Sequence, residues 1–144
     1  MSTEALPKIA LILNERDTFN HFRNILSFLS NDDFDLIIAG DQENLTKIAL
    51  ENGFNALSHQ QALQKNRRYA FTFSNYYILY YDLDDPYQAN KKIYLPQLLG
   101  EKHIRLMYTL GADYWNYDRW NDIYSYHLCY GPWHSQQLQI YPSE

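Results

Sequence analysis

The chain has 144 residues, of which 46% are hydrophobic and 20% charged, with a formal net charge of −5. That length suits one domain with a sizeable core, and the composition excludes a disordered polymer. The acidic balance, with cations clustered only at Lys65, Arg67, Arg68, Lys91 and Lys92, argues against nucleic acid as a partner.

Cys129 is the single cysteine, so neither an internal disulfide nor a thiolate metal cage is available, and its simplest role is that of a small buried side chain. No apolar run approaches the roughly 20 residues that span a bilayer, and the start lacks the basic-then-apolar pattern of a secretory signal. The cytoplasm is the expected compartment. Aromatic residues reach 17%, and the 14 tyrosines concentrate from residue 69 onward. Tyrosine favours strands, and it also lines sugar or base sites, being flat and apolar with a polar tip.

In chain order, Lys8–Leu13 is a nearly continuous apolar run and predicts a strand buried on both faces. After the polar break Asn14-Glu15-Arg16-Asp17, Phe19, Phe22, Ile25, Leu26 and Leu29 recur at helical spacing, with Asp17 or Thr18 as the expected N-cap. Phe34–Ala39 is a second buried strand ending at Gly40-Asp41. Leu45, Ile48 and Ala49 mark a helix stopping at Asn52-Gly53, a natural left-handed terminus. Phe54–Leu57 is a third strand, and Ser58 with Gln61 is a capping box that opens a helix through about Asn66. This strand–helix alternation calls for right-handed crossovers and a parallel sheet.

Tyr69–Ser74 alternates in period two and predicts a fourth strand, which 76–81 either continues or turns into a hairpin. A helical turn is expected near Pro96–Leu99, then a strand over His103–Leu110 ending at Gly111. Residues 112–122 read as a loop or short helix, Tyr124–Tyr130 as the last strand, and Gly131-Pro132 as the start of a short helix. The expectation is one α/β domain over 1–144, an open, mostly parallel Rossmann-like sheet with helices on both faces.

Self-contained catalytic motifs are missing. No G-x-G-x-x-G or G-x-x-x-x-G-K-[ST] occurs, no Gly-x-Ser-x-Gly elbow exists, and Cys129 is expected mid-strand. A phosphorelay receiver would need paired acids after the first strand and a lysine after the last, where Asn14-Glu15 and Gly131-Pro132 stand. Asp82-Leu83-Asp84-Asp85 carries an Asp-x-Asp that elsewhere holds a divalent cation, but with Pro86 it is equally turn chemistry. The five histidines show no metal-ligand spacing, so neither a metal nor a cofactor is expected. His21 is expected opposite the apolar stripe and solvated, and His127 as a core histidine. His134 sits in the first turn of the last helix, beside Trp133, where backbone N–H groups favour an anion.

Several of these features resemble the N-terminal half of two-domain GT-B transferases, in particular the CDP-glycerol glycerophosphotransferases and related builders of cell-surface polysaccharides. The matching parts are Lys8–Leu13, His103–Gly111, Tyr126–Gly131 followed by Pro132-Trp133-His134, and Tyr141-Pro142. Leu110 stands where that group often has the histidine of a His-Gly pair, and Ile140 where it has glycine before Tyr-Pro. The resemblance implies an acceptor-side domain for a sugar or polyol phosphate, catalytically incomplete without a donor-binding C-terminal domain or partner protein. In an open α/β sheet the binding wall is made by loops after the strand ends: Asn14–Asp17, Gly40-Asp41, Ser74-Asn75, Thr109–Ala112 and Gly131–His134. The candidate bases are Glu15 and His134, and the candidate substrate-binding residues are Asn14, Arg16, Thr109, Gly111 and Trp133. The alternative is a non-enzymatic interaction module whose aromatic-rich surface packs against a protein.

Overall fold

The computed structural model describes residues 9–39, 42–75, 79–80, 93–106, 119–129 and 131–140. In chain order these form β1 (Ile9–Leu13), α1 (Arg16–Leu26), β2 (Phe34–Ile38), α2 (Gln42–Glu51), β3 (Ala56–Ser58), α3 (His59–Gln64) and β4 (Tyr69–Ser74). Then come β5 (Leu79–Tyr80), β6 (Ile93–Tyr94), α4 (Leu95–Leu99), β7 (Gly100–Leu106), a 3-10 helix (Arg119–Ile123), β8 (Tyr126–Leu128) and α5 (Pro132–Ile140).

Six strands form one all-parallel sheet in the order β3-β2-β1-β4-β7-β8. The chain starts in the middle, winds outward through β2 and β3, then returns past β1 to build the other half. β5 and β6 pair antiparallel as a separate ribbon, so 76–81 does not extend β4 but opens a short hairpin-like excursion.

Both faces of the central strands are buried, as their unbroken apolar runs require. On one face Leu11, Leu13, Leu36 and Ile38 pack under Phe19, Phe22 and Leu26 of α1 and Leu45 and Ala49 of α2. On the other, Ala10, Ile12 and Ile37 pack under Ala62 of α3 and Leu95 and Leu99 of α4. Each fully buried aliphatic side chain contributes about 1.5–3 kcal/mol.

Local signals act as their chemistry dictates. Ser58 Oγ accepts from the Gln61 N–H at 3.0 Å while Gln61 Oε1 accepts from the Ser58 N–H at 2.9 Å, closing the capping box. Gly53 ends the α2 turn at φ +78. Three boundaries differ from expectation. The N-cap of α1 is Glu15, with no side-chain cap bond, while Asp17 lies in the first turn and Thr18 is buried inside the helix. α3 is shorter than expected, and β7 begins at Gly100 because Tyr69 of β4 pairs with it. The expected run of β7 to Gly111 lies outside the described residues, as does the Asp82–Asp85 loop.

Candidate functional site

Strand order locates the crevice. β1 is followed by chain that crosses to β2 on one side, and β4 lies on the other, so the connections diverge above the C-terminal ends of β1 and β4. Loops leaving adjacent strands in opposite directions open a cleft there, the usual ligand position in doubly wound sheets. The residues that end these strands are Asn14 and Asn75.

A chain of hydrogen bonds crosses this point. Thr18 Oγ1 lies 2.6 Å from Asn14 Oδ1 and 3.4 Å from Asn75 Oδ1, and Asn75 Nδ2 lies 3.0 Å from His21 Nδ1. Thr18 and Asn75 are buried, at 0% and 1% exposed, whereas Asn14 and His21 are half-buried. His21 is thus not solvated opposite the apolar stripe. It lies on the flank of α1, three residues from Thr18, and β4 ends beside that flank.

A surface cavity of about 590 Å³ adjoins Asn14 on the α2 side. Its walls include Asn14, Glu15, Arg16, Asn44 and Lys47, over a floor of Leu45 and Ile48. A smaller hollow of about 190 Å³ shares Arg16, Ile48 and Glu51 with it and adds Arg23. Glu15 and Arg16 are exposed, and Lys47 meets Glu51 at 3.9 Å as a solvated pair.

A second polar cluster lies under the ends of β4, β7 and β8. Ser74 Oγ and Tyr124 Oη are 2.6 Å apart, and the wholly buried Arg105 donates to Asn121 Oδ1. Burial pushes the Tyr124 hydroxyl up to about 12, against the opposing pull of Ser74 and Arg105. Burial also raises the Cys129 thiol, with Arg105 partly offsetting it; Cys129 sits just past the end of β8 rather than mid-strand. One strand register deeper, Thr72 Oγ1 bonds His103 Nδ1 at 2.9 Å, and burial lowers the pKa of His103. His127 is half-buried, its ring tilted against Tyr124 at 5.9 Å.

Of the residues expected to form the site, the fold brings Asn14, Glu15 and Arg16 together at the mouth of the larger cavity. Trp133 lies on α5, 58% exposed, and is not in that lining. Thr109, Gly111 and the side chain of His134 lie outside the described residues. Sequence reasoning missed Thr18, His21 and Arg105. Asn75 had a usable signal, a polar residue directly after a strand of a parallel sheet, but nothing in the linear pattern pairs it with His21. Among the described residues, no group of three or more His, Cys, Asp or Glu is placed to hold a metal ion, and no helix is long and apolar enough to cross a membrane.

The strand order and the polar crevice define an open α/β fold of the Rossmann-like type. No family profile, no curated protein and no solved structure matches the chain.

Proposed function

We propose that this chain is the acceptor-side domain of a glycosyl- or glycerophosphotransferase, acting in the cytoplasm on a sugar or polyol phosphate. The observation that carries the reading is the convergence of Asn14, Thr18, Asn75 and His21 at the point where the strand connections diverge. Amide, hydroxyl and imidazole groups suit ligand hydroxyls, which both donate and accept. Arg16 at the rim is the cation for a phosphate, and Glu15 accepts from a further hydroxyl. The absence of a glycine-rich first turn argues against a dinucleotide cradle and fits an acceptor better than a cofactor. The donor and the opposite wall of the cleft belong to a second domain or a partner protein.

The test is a thermal-shift and calorimetric screen of glycerol phosphates, hexose phosphates and nucleotide sugars. A ligand at a hundredfold its Kd stabilises the folded chain by about 2.7 kcal/mol. A polyol or sugar phosphate that raises Tm in the wild type and fails to do so in Arg16→Ala and Asn14→Ala supports the reading. Equal response of all three proteins, or no response at millimolar ligand, rejects it.

A second reading has its own observation. Tyr126 and Leu128 on the edge strand β8 are 50% and 48% exposed, and Trp133 of α5 is also exposed, an aromatic edge suited to a protein partner. A mass that rises with concentration in light scattering, and falls in a Tyr126→Lys, Leu128→Lys variant, would favour an interaction module.

A further inference from the structure

Proton accounting in the Asn14–Thr18–Asn75–His21 chain assigns a role to His21. A threonine hydroxyl has one proton and two lone pairs. Thr18 is 0% exposed, yet both neighbouring atoms, Asn14 Oδ1 at 2.6 Å and Asn75 Oδ1 at 3.4 Å, are oxygens that need that proton. One hydroxyl cannot serve both.

The two distances decide which amide must be turned. Hydroxyl-to-oxygen bonds run about 2.5–3.0 Å and N–H-to-oxygen bonds about 2.7–3.2 Å. At 2.6 Å the Asn14 contact fits only a hydroxyl donating to oxygen, so the Thr18 proton goes there. At 3.4 Å the Asn75 contact is too long for a hydroxyl bond and is closer to an amide N–H reaching the Thr18 lone pair. Amide nitrogen and oxygen are interchangeable by a flip that leaves the side-chain outline unchanged. Turning Asn75 satisfies every group: its Nδ2 donates to Thr18 Oγ1, and its Oδ1 faces His21 Nδ1 across 3.0 Å.

That orientation fixes the imidazole. With a carbonyl oxygen opposite, Nδ1 must carry the proton, which leaves the lone pair on Nε2. We propose that Asn75 holds His21 in the Nδ1–H tautomer, and that Nε2 accepts a hydrogen bond from a hydroxyl of a polyol or sugar ligand bound over β1 and β4. His21 is the ligand-binding residue, and Asn75 is a positioning residue that acts through it. The assignment rests on the acceptor-domain reading for the identity of the ligand, but not for the tautomer.

The experiment is long-range proton–nitrogen correlation NMR of the histidine rings in the full chain, at a pH about two units above the ordinary histidine value of about 6.5. His21→Gln assigns the signals, and glycerol 3-phosphate is the probe. The expected result is a protonated Nδ1 and a lone-pair Nε2 in the free protein, with the Nε2 resonance moving upfield on adding glycerol phosphate. Asn75→Asp, which keeps an oxygen toward Nδ1, should preserve the tautomer, whereas Asn75→Leu should release the ring to a mixture. His21→Gln should weaken glycerol phosphate at least tenfold. A protonated Nε2 in the free wild type overturns the inference whether or not ligand binds. Binding without movement of the His21 signals overturns it while leaving the acceptor-domain reading intact. No binding of any polyol or sugar phosphate overturns both.

Discussion

Gly100 is a glycine of space rather than of backbone freedom, and replacing it tests the packing between β4 and β7. Its φ of −142 is extended, open to any residue. A Cβ built there would lie 2.6 Å from Thr72 Cγ2 and 3.3 Å from the Tyr69 carbonyl oxygen. Carbon atoms pack at about 3.5 Å, so Gly100→Ala demands a shift of roughly 1 Å at the methyl. Thr72 cannot rotate away freely, because it is 1% exposed and its Oγ1 holds His103 Nδ1 at 2.9 Å. Overpacking of this kind costs about 1–3 kcal/mol. Because relief sacrifices a buried hydrogen bond, we expect about 2 kcal/mol, or roughly 5–8 °C in Tm for a chain of this size.

Thr72→Ser supplies the control, since it removes Cγ2 and keeps the hydroxyl. Alone it should cost about 1 kcal/mol for the lost methyl. Combined with Gly100→Ala it should cost less than the sum, with a coupling of about 1 kcal/mol in urea unfolding followed by circular dichroism and tryptophan fluorescence. Costs that add within about 0.5 kcal/mol would refute the clash as the cause.

Gly53 makes the opposite prediction: at φ +78 with nothing within 4 Å of a built Cβ, its reason is conformational. Gly53→Ala should lose about 1 kcal/mol, and Gly53→Asn clearly less, in the same unfolding assay. Ser58→Ala opens the capping box of α3 and should cost about 1 kcal/mol, against a near-neutral Ser58→Asp. Tyr124 gives a pH dependence. Its hydroxyl is raised from 10.0 to about 12, so above pH 10 the unfolded chain releases a proton that the folded chain retains. Its stabilising contribution is complete below pH 10 and lost as pH rises toward 12, at up to about 1.36 kcal/mol per pH unit. Tyr124→Phe should flatten that decline by this amount in urea midpoints taken from pH 9 to 11, and an unchanged slope would contradict the assignment.

Local chemistry made much of this architecture legible. The apolar runs at Ile9–Leu13 and Phe34–Ile38 could be read as strands buried on both faces because a parallel sheet leaves no polar face, and they are so buried. Ser58 with Gln61, and Gly53, act within a few residues of themselves, so their roles needed no tertiary information. Asn14, Glu15 and Arg16 were accessible to the same reasoning, being consecutive after the first strand.

What linear pattern did not contain were pairings set by strand order. Sequence alternation calls for a parallel sheet, but only the folded chain sets β4 against β1. That adjacency, 54 residues apart in sequence, turns His21 from a polar residue on a helix into the partner of Asn75. It likewise gives Gly100 its neighbour Thr72, and buries Arg105 completely, since the strand that carries it has β4 on one side and β8 on the other. Apolar periodicity reports which side of an element meets the core, because burial of carbon is non-directional. A hydrogen bond between distant residues depends on one donor and one acceptor meeting at about 3 Å, and nothing short of the tertiary fold sets that distance.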